Sequence, residues 1–165
     1  MRPLTERDLR ASFVNCSKGE AKRLNLPKDF AGLPWDDLDF LGWQDPGAPG
    51  RAYLVAEHGG RLAGISLRVA SGAFRGFTSR SMCSLCLTPR TGGGVALMTA
   101  RRTGEAGRQG NSVGQYLCGD LDCSLYVRGK KQSVAGSGLD ESLSLEEKTA
   151  RLLANLHAFL DKVTR

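Results

Sequence analysis

The strongest constraint on this chain is the placement of four of its five cysteines: Cys83-x2-Cys86 and Cys118-x4-Cys123, separated by 31 residues. Each pair is tight enough to present two thiolates to one ion, and four thiolates complete the tetrahedral shell that zinc prefers. Such a shell leaves no position for water or substrate, so the metal expected is one structural Zn2+ rather than a catalytic one. A disulfide framework is disfavoured because an odd number of thiols cannot all pair. The start of the chain, Met1-Arg2 followed by Glu6, Arg7, Asp8 and Arg10, also offers no apolar leader towards an oxidising compartment. Four buried thiols acting as small apolar groups are the alternative, though such thiols seldom fall in two such pairs.

The spacings dictate local structure. The x2 spacing fits a tight turn whose amides point at the sulfurs. A five-residue step turns a helix by about 140° beyond a full turn, so Cys118 and Cys123 cannot share one helical face. Cys118 is therefore expected to end a strand and Cys123 to sit in the first turn of the helix that follows, where free amides suit a metal-thiolate cluster. Knuckle, hairpin and helix, in that order, are the parts of a treble-clef zinc finger.

The rest of the chain supplies a scaffold. With 165 residues, 41% apolar and 24% charged, it can bury a core of its own as a single domain over 1–165. Residues 1–28 read as a helical lead-in of two short helices, with Ser17 and Glu20 spaced as a capping box and Pro27 as the stop. Residues 29–49 lack periodicity and read as an ordered loop pinned by Trp35, Phe40 and Trp43. Strands are expected at 51–57 and 62–69, joined through Gly59-Gly60, and at 95–100 and 113–117, which puts the sheet and the finger in 51–128. The stretch 129–142 is polar and glycine-bearing and reads as a mobile linker. In 143–164 a capping box, Ser144 and Glu147, opens a helix with an apolar face of Leu145, Leu152, Leu153, Leu156, Phe159, Leu160 and Val163. The fold class is thus α+β: a small antiparallel sheet carrying a treble clef, with helices at both termini.

The segments Met82-Cys83-Ser84-Leu85-Cys86, Gly93 to Met98, Tyr116-Leu117-Cys118-Gly119-Asp120-Leu121-Asp122-Cys123 and, upstream, Leu41-Gly42-Trp43 resemble the FBP-type treble-clef domain. That domain is the C-terminal part of FusB-type proteins, which bind elongation factor G, and the resemblance covers nearly the whole chain. It implies a structural zinc, a binding surface that includes Tyr116, and association with elongation factor G on or near the ribosome, with release of the factor when fusidic acid traps it. Val113 stands where the family's surface lysine is expected, and a short lead-in stands where FusB-type proteins carry a helical bundle.

The remaining candidates are weaker. Arg101, Arg102 and Arg108, among Gly104, Gly107 and Gly110, read as a flexible basic arm for an acidic protein surface or RNA phosphates, or as a solvated hairpin tip. The net charge of +6 points the same way. An RNA-binding finger that contacts ribosomal or transfer RNA is accordingly the second functional reading. Gly92-Gly93-Gly94 has no Gly-Lys-Ser/Thr after it and reads as a turn, not a phosphate cradle. Asp36, Asp37 and Asp39 lack the terminal Glu of a calcium loop and read as a solvated acidic turn. Trp35 and Trp43 read as core anchors, and His58 and His157 as structural or solvent-facing. Cys16 reads as a buried inert thiol, with a low-pKa thiol at a helix start as the alternative. No H-x-E precedes Cys83, which removes the zinc-deaminase pattern. The expectation is a monomeric, cytoplasmic, membrane-free binding module that is not an enzyme.

Overall fold

The computed structural model describes residues 1–70, 81–91, 93–132 and 141–165. Two short helices, α1 (Glu6–Ala11) and α2 (Lys18–Arg23), open the chain. Thr5 caps the first, and Ser17 and Glu20 form the expected capping box on the second. Strand β1 (Leu41–Gln44) follows two 3-10 turns, and the hairpin of β2 (Arg51–His58) and β3 (Arg61–Val69) turns at Gly59 and Gly60, both at positive φ. A small ribbon of β4 (Ser81–Met82) and β5 (Pro89–Arg90) precedes β6 (Val95–Arg101), α3 (Gly104–Arg108), β7 (Ser112–Cys118), α4 (Cys123–Val127) and α5 (Leu145–Thr164). The main sheet is antiparallel, in the order β1-β2-β3-β6-β7.

The sheet is covered on both faces at β2, which is why five successive residues of that strand, Ala52 to Ala56, are buried. Ala52, Leu54 and Ala56 face a core shared with the four cysteines and with Leu152, Leu156, Phe159, Leu160 and Val163 of α5. Tyr53 and Val55 face a second core with Leu9, Leu24, Trp35, Leu38, Leu41 and Trp43 from the first 43 residues. Trp35 and Trp43 are therefore core anchors as expected, Trp43 donating its indole N–H to the Asn25 carbonyl at 2.9 Å. The apolar face of α5 is as read, except that Leu145, the first residue of the helix, is exposed.

Three expectations change. Residues 41–44, read as loop, form β1; four residues with Gly42 among them give too short an alternation to register as a strand. The sheet accordingly begins at residue 41 and not 51. The Arg101–Asn111 connection is not a flexible arm: α3 folds it back, with Thr103 N–H bonded to the Val163 carbonyl and Arg102 N–H to that of Asn111, both at 2.9 Å. Gly107 makes this possible, since a Cβ there would lie 1.7 Å from the Arg102 carbonyl oxygen. The acidic turn is not solvated throughout: the Asp39 side chain is only 8% exposed and is paired with Arg128. Of the expected linker over 129–142, residues 133–140 lie outside the described residues, whereas Lys130 is bound to Asp37 and Lys131 to Asp120 and Asp122. Gly92 of the glycine run also lies outside them; Gly93 has φ +80° and Gly94 follows it into β6.

The β3–β6 ladder pairs residues 67–69 with 98–100, and beyond it Asn15 bridges Ser66 of β3 to Arg101 at the C-terminal end of β6. Its side chain exchanges hydrogen bonds with the Ser66 backbone, at 3.0 and 2.8 Å, and also donates to the Arg101 carbonyl at 3.1 Å. Residues 12–14 add a short parallel contact at Gly64, where a Cβ would lie 2.5 Å from Ser12 Oγ. Among the described residues no helix is long and apolar enough to cross a membrane.

Candidate metal centre and the surface around it

The four cysteines converge from the three places their spacing assigned. Cys83 and Cys86 lie on the turn between β4 and β5, Cys118 ends β7, and Cys123 opens α4. All four are buried, and their sulfurs lie within 4.8 Å of one another. The sulfurs of Cys83 and Cys123 are 3.7 Å apart and those of Cys86 and Cys118 3.6 Å. Zinc–sulfur bonds of about 2.3 Å in a tetrahedron place sulfurs about 3.8 Å apart, so the cage has the size for this ion. Leu85 N–H at 3.4 Å and Cys118 N–H at 3.3 Å both point at Cys83 Sγ, the amide-to-sulfur pattern expected of the knuckle.

Left to share protons among themselves, sulfurs this close cannot all ionise. Hydrogen bonds from Cys118 and Cys123 hold the Cys83 thiol well below its usual range and also lower Cys86. Cys123 is pushed up by its interactions with Cys118, Cys83 and Cys86 and by burial. For Cys118 the hydrogen bond with Cys123 acts downwards but is outweighed by those with Cys83 and Cys86 and by burial. A dication removes this conflict, because each thiolate then faces positive charge. Such an ion would organise the turn, the end of β7 and the start of α4, and would supply no catalytic position.

The finger is keyed into the N-terminal layer. Leu121, between the two ligands of the second pair, has φ +60° and is buried against Gly42, whose added Cβ would come to 2.6 Å from Leu121 Cβ. That approach gives Gly42 its physical role in Leu41-Gly42-Trp43. Ser124 of α4 accepts from the Asp39 N–H at 3.0 Å, and Arg128 grips the Asp39 carboxylate with two nitrogens at 2.5 and 2.9 Å. Tyr126 donates to Asp120 at 2.6 Å beneath the Arg90 guanidinium, which lies 4.2 Å from the ring centroid. Burial and the Asp120 carboxylate push the Tyr126 hydroxyl up to about 12.

Of the surface residues singled out from sequence, Tyr116 is 47% exposed, and its carbonyl accepts from Ser84 N–H of the knuckle at 2.7 Å. Arg101 lies on the same face of the sheet, since Leu97 pairs with Tyr116 and Arg101 with Ser112. The two are four residues, about 13 Å, apart along the strand. Arg102 is half-buried, and exposed Arg108 is paired with Glu105 on α3 at 2.7 Å. Three further arginines, Arg23, Arg51 and Arg68, border the same open region of the sheet. Arg51 and Arg68 were missed in the sequence because each stands alone among uncharged neighbours, and Arg23 because it is one of several charges on a short helix. The alternation of Ser66 and Arg68 with buried Ile65 and Leu67 was the available sign that this face is polar. Cys16 is half-buried beside them, and burial followed by the Glu20 charge pushes its thiol up, so it is not an activated thiol. His58 pairs with Asp161 at 3.1 Å and His157 with the Glu57 carbonyl at 3.2 Å, both tying α5 to the first hairpin.

A family model for the FBP C-terminal treble-clef zinc-finger matches residues 8–163. Neither the curated proteins nor the solved structures contain a match to the chain. The match spans nearly every element described above, and its zinc-finger character agrees with the cage of four buried sulfurs. This chain belongs to the FBP C-terminal treble-clef zinc-finger family and is built around one structural zinc ion.

Proposed function

We propose that this chain is a protein-binding module that associates with elongation factor G on or near the ribosome and promotes its release. The observation that carries the reading is the exposed Tyr116 ring on a rigid support. It stands two residues before the ligand Cys118, and its backbone is bonded on one side to β6 and on the other to the knuckle. A large amphipathic side chain presented from a fixed backbone is the type of group that dominates protein interfaces. Arg101, Arg102 and Arg108 supply a basic flank for an acidic partner. The closed four-sulfur shell suits a module whose metal holds shape rather than performs chemistry.

The test is calorimetric titration of the zinc-loaded protein with elongation factor G from its own host, at two salt concentrations. Saturable one-to-one binding that persists at the higher salt, and that Tyr116→Ala weakens at least tenfold with zinc content unchanged, is expected. Absence of a complex, or a Tyr116→Ala variant that binds as well as the parent, would overturn the reading.

A further inference from the structure

The face of the sheet opposite α5 is covered over β1 and β2 by the first 43 residues, but it is open over the ends of β3 and β6. There it forms a groove of two adjoining lobes, about 400 and 570 Å3, which share Cys16, Glu20, Ser66 and Arg68. Among the described residues six arginines line the groove and no lysine does. Among the described residues only two carboxylates line it, Glu20 and Asp45, and both accept hydrogen bonds from neighbouring groups. Glu20 caps α2 through Ser17. Asp45 is buried and accepts from Asn25, Gly47 and Tyr53. Arg23, Arg51, Arg68 and Arg101 are exposed and form no salt bridge among the described residues.

The positions of two of these arginines oppose stability. Arg51 and Arg68 are direct partners across the β2–β3 ladder, and like charges placed directly opposite each other destabilise a sheet. Arg101 adds a third charge on the next strand, two residues beyond Thr99, the partner of Arg68. A fold that holds three guanidinium groups along one groove without a salt bridge among the described residues, with the Glu20 carboxylate acting on Arg51 and Arg101 only at longer range, gains from an anion that bridges them.

We infer that this groove binds the phosphate backbone of a single strand of RNA. Guanidinium forks match phosphate oxygens two at a time, which a lysine cannot do, and two joined lobes accommodate successive nucleotides better than one small anion. Tyr116, exposed on the same face about 13 Å beyond Arg101, is placed to stack on a base of a strand that leaves the groove. The inference goes beyond association with elongation factor G and stands without it: Arg51 and Arg68 belong to the groove and not to the surface assigned to the factor.

The experiment is fluorescence anisotropy of the zinc-loaded protein with a labelled twelve-nucleotide oligouridine, with an oligoglutamate peptide of matched charge as competitor. Contact with four arginines predicts a log K versus log salt slope of about −2.8, hence about 50-fold weaker binding at 200 mM than at 50 mM salt. The double variant Arg51→Thr with Arg68→Thr should bring the slope to about −1.4 and leave zinc content intact. Either single variant should keep or raise the melting temperature, since each relieves the Arg51–Arg68 repulsion. Bound RNA should also slow maleimide labelling of Cys16 several-fold. No saturable binding, equal competition by oligoglutamate, or an unchanged slope in the double variant would overturn the inference. A fall in melting temperature in the single variants would do so as well, because it would make these arginines structural.

Discussion

Replacing Gly42 by alanine tests whether the metal site and the N-terminal layer are one packed unit. The new methyl carbon would lie 2.6 Å from Leu121 Cβ and 3.1 Å from Phe40 Cε2. Carbon atoms prefer about 3.5–4.0 Å, so the overlap with Leu121 is about 1 Å. Leu121 has little room to retreat: its N–H bonds to the Cys118 carbonyl at 3.0 Å, its φ is +60°, and ligands lie three residues before and two after it. Overpacking of this kind costs about 1–3 kcal/mol, while removing a glycine from a strand returns about 0.5–1 kcal/mol of chain entropy. The net expectation is a loss of about 1–2 kcal/mol, or about 2–8 °C in melting temperature for a domain of this size. Urea denaturation followed by the fluorescence of Trp35 and Trp43, at fixed free zinc, measures it. In a Leu121→Gly background, which removes the opposing carbon and frees the positive φ, Gly42→Ala should cost nothing or stabilise. Equal effects in both backgrounds would refute the steric argument, because independent sites add and coupled ones do not.

Three further outcomes are expected. Cys86→Ser should lower zinc, measured by elemental analysis, from one per chain to well below one, and should remove the cooperative unfolding transition, as metal binding in such sites is folding free energy. Arg128→Ala should cost about 3–5 kcal/mol by urea denaturation, because the side chain of Asp39 is only 8% exposed and would be left as an uncompensated buried carboxylate; Arg128→Ala with Asp39→Ala should recover much of that loss. Burial and the Asp45 carboxylate push the Tyr53 hydroxyl up to about 12. A raised folded value means that the stability from neutral Tyr53 is complete below pH 10 and disappears between pH 10 and about 12; ultraviolet titration should place this ionisation near 12, and Tyr53→Phe should flatten the alkaline decline.

The metal site was legible because thiolate chemistry is local. Two short spacings and one helical-periodicity argument placed Cys118 at a strand end and Cys123 at a helix start, and the structure has both. The terminal helix was legible for the same reason, since capping by Ser144 and Glu147 and the stripe from Leu152 to Val163 are properties of one segment. What stayed hidden depends on residues far apart in sequence. β1 exists because Leu41 to Gln44 find Val55 to Ala52 as partners, and α3 is ordered because its entry is bonded to the end of α5. Asp39 and Arg128 are 89 residues apart, so an aspartate in an acidic run gave no hint that it would be buried and paired. The arginine groove is hidden in the same way: Arg51 and Arg68 become neighbours only through strand register.

These long-range contacts also explain why the family unit spans residues 8–163 rather than the 41 residues from Cys83 to Cys123. A free-standing finger would need its hairpin and helix to bury their own apolar faces. Here β6 is the second-last strand of a five-stranded sheet and is paired with β3 as well as with β7. Leu117 and the cysteines share one core with α5, and Leu121 closes on Gly42. A metal that fixes the knuckle to the end of β7 therefore also fixes the edge of the main sheet and the seat of Asp39. The support beneath Tyr116 follows from this arrangement: its backbone is held between β6 and the knuckle, and the knuckle is tied to the end of its own strand, β7, through the four sulfurs. Zinc in this chain thus governs the shape of the exposed surface without touching it.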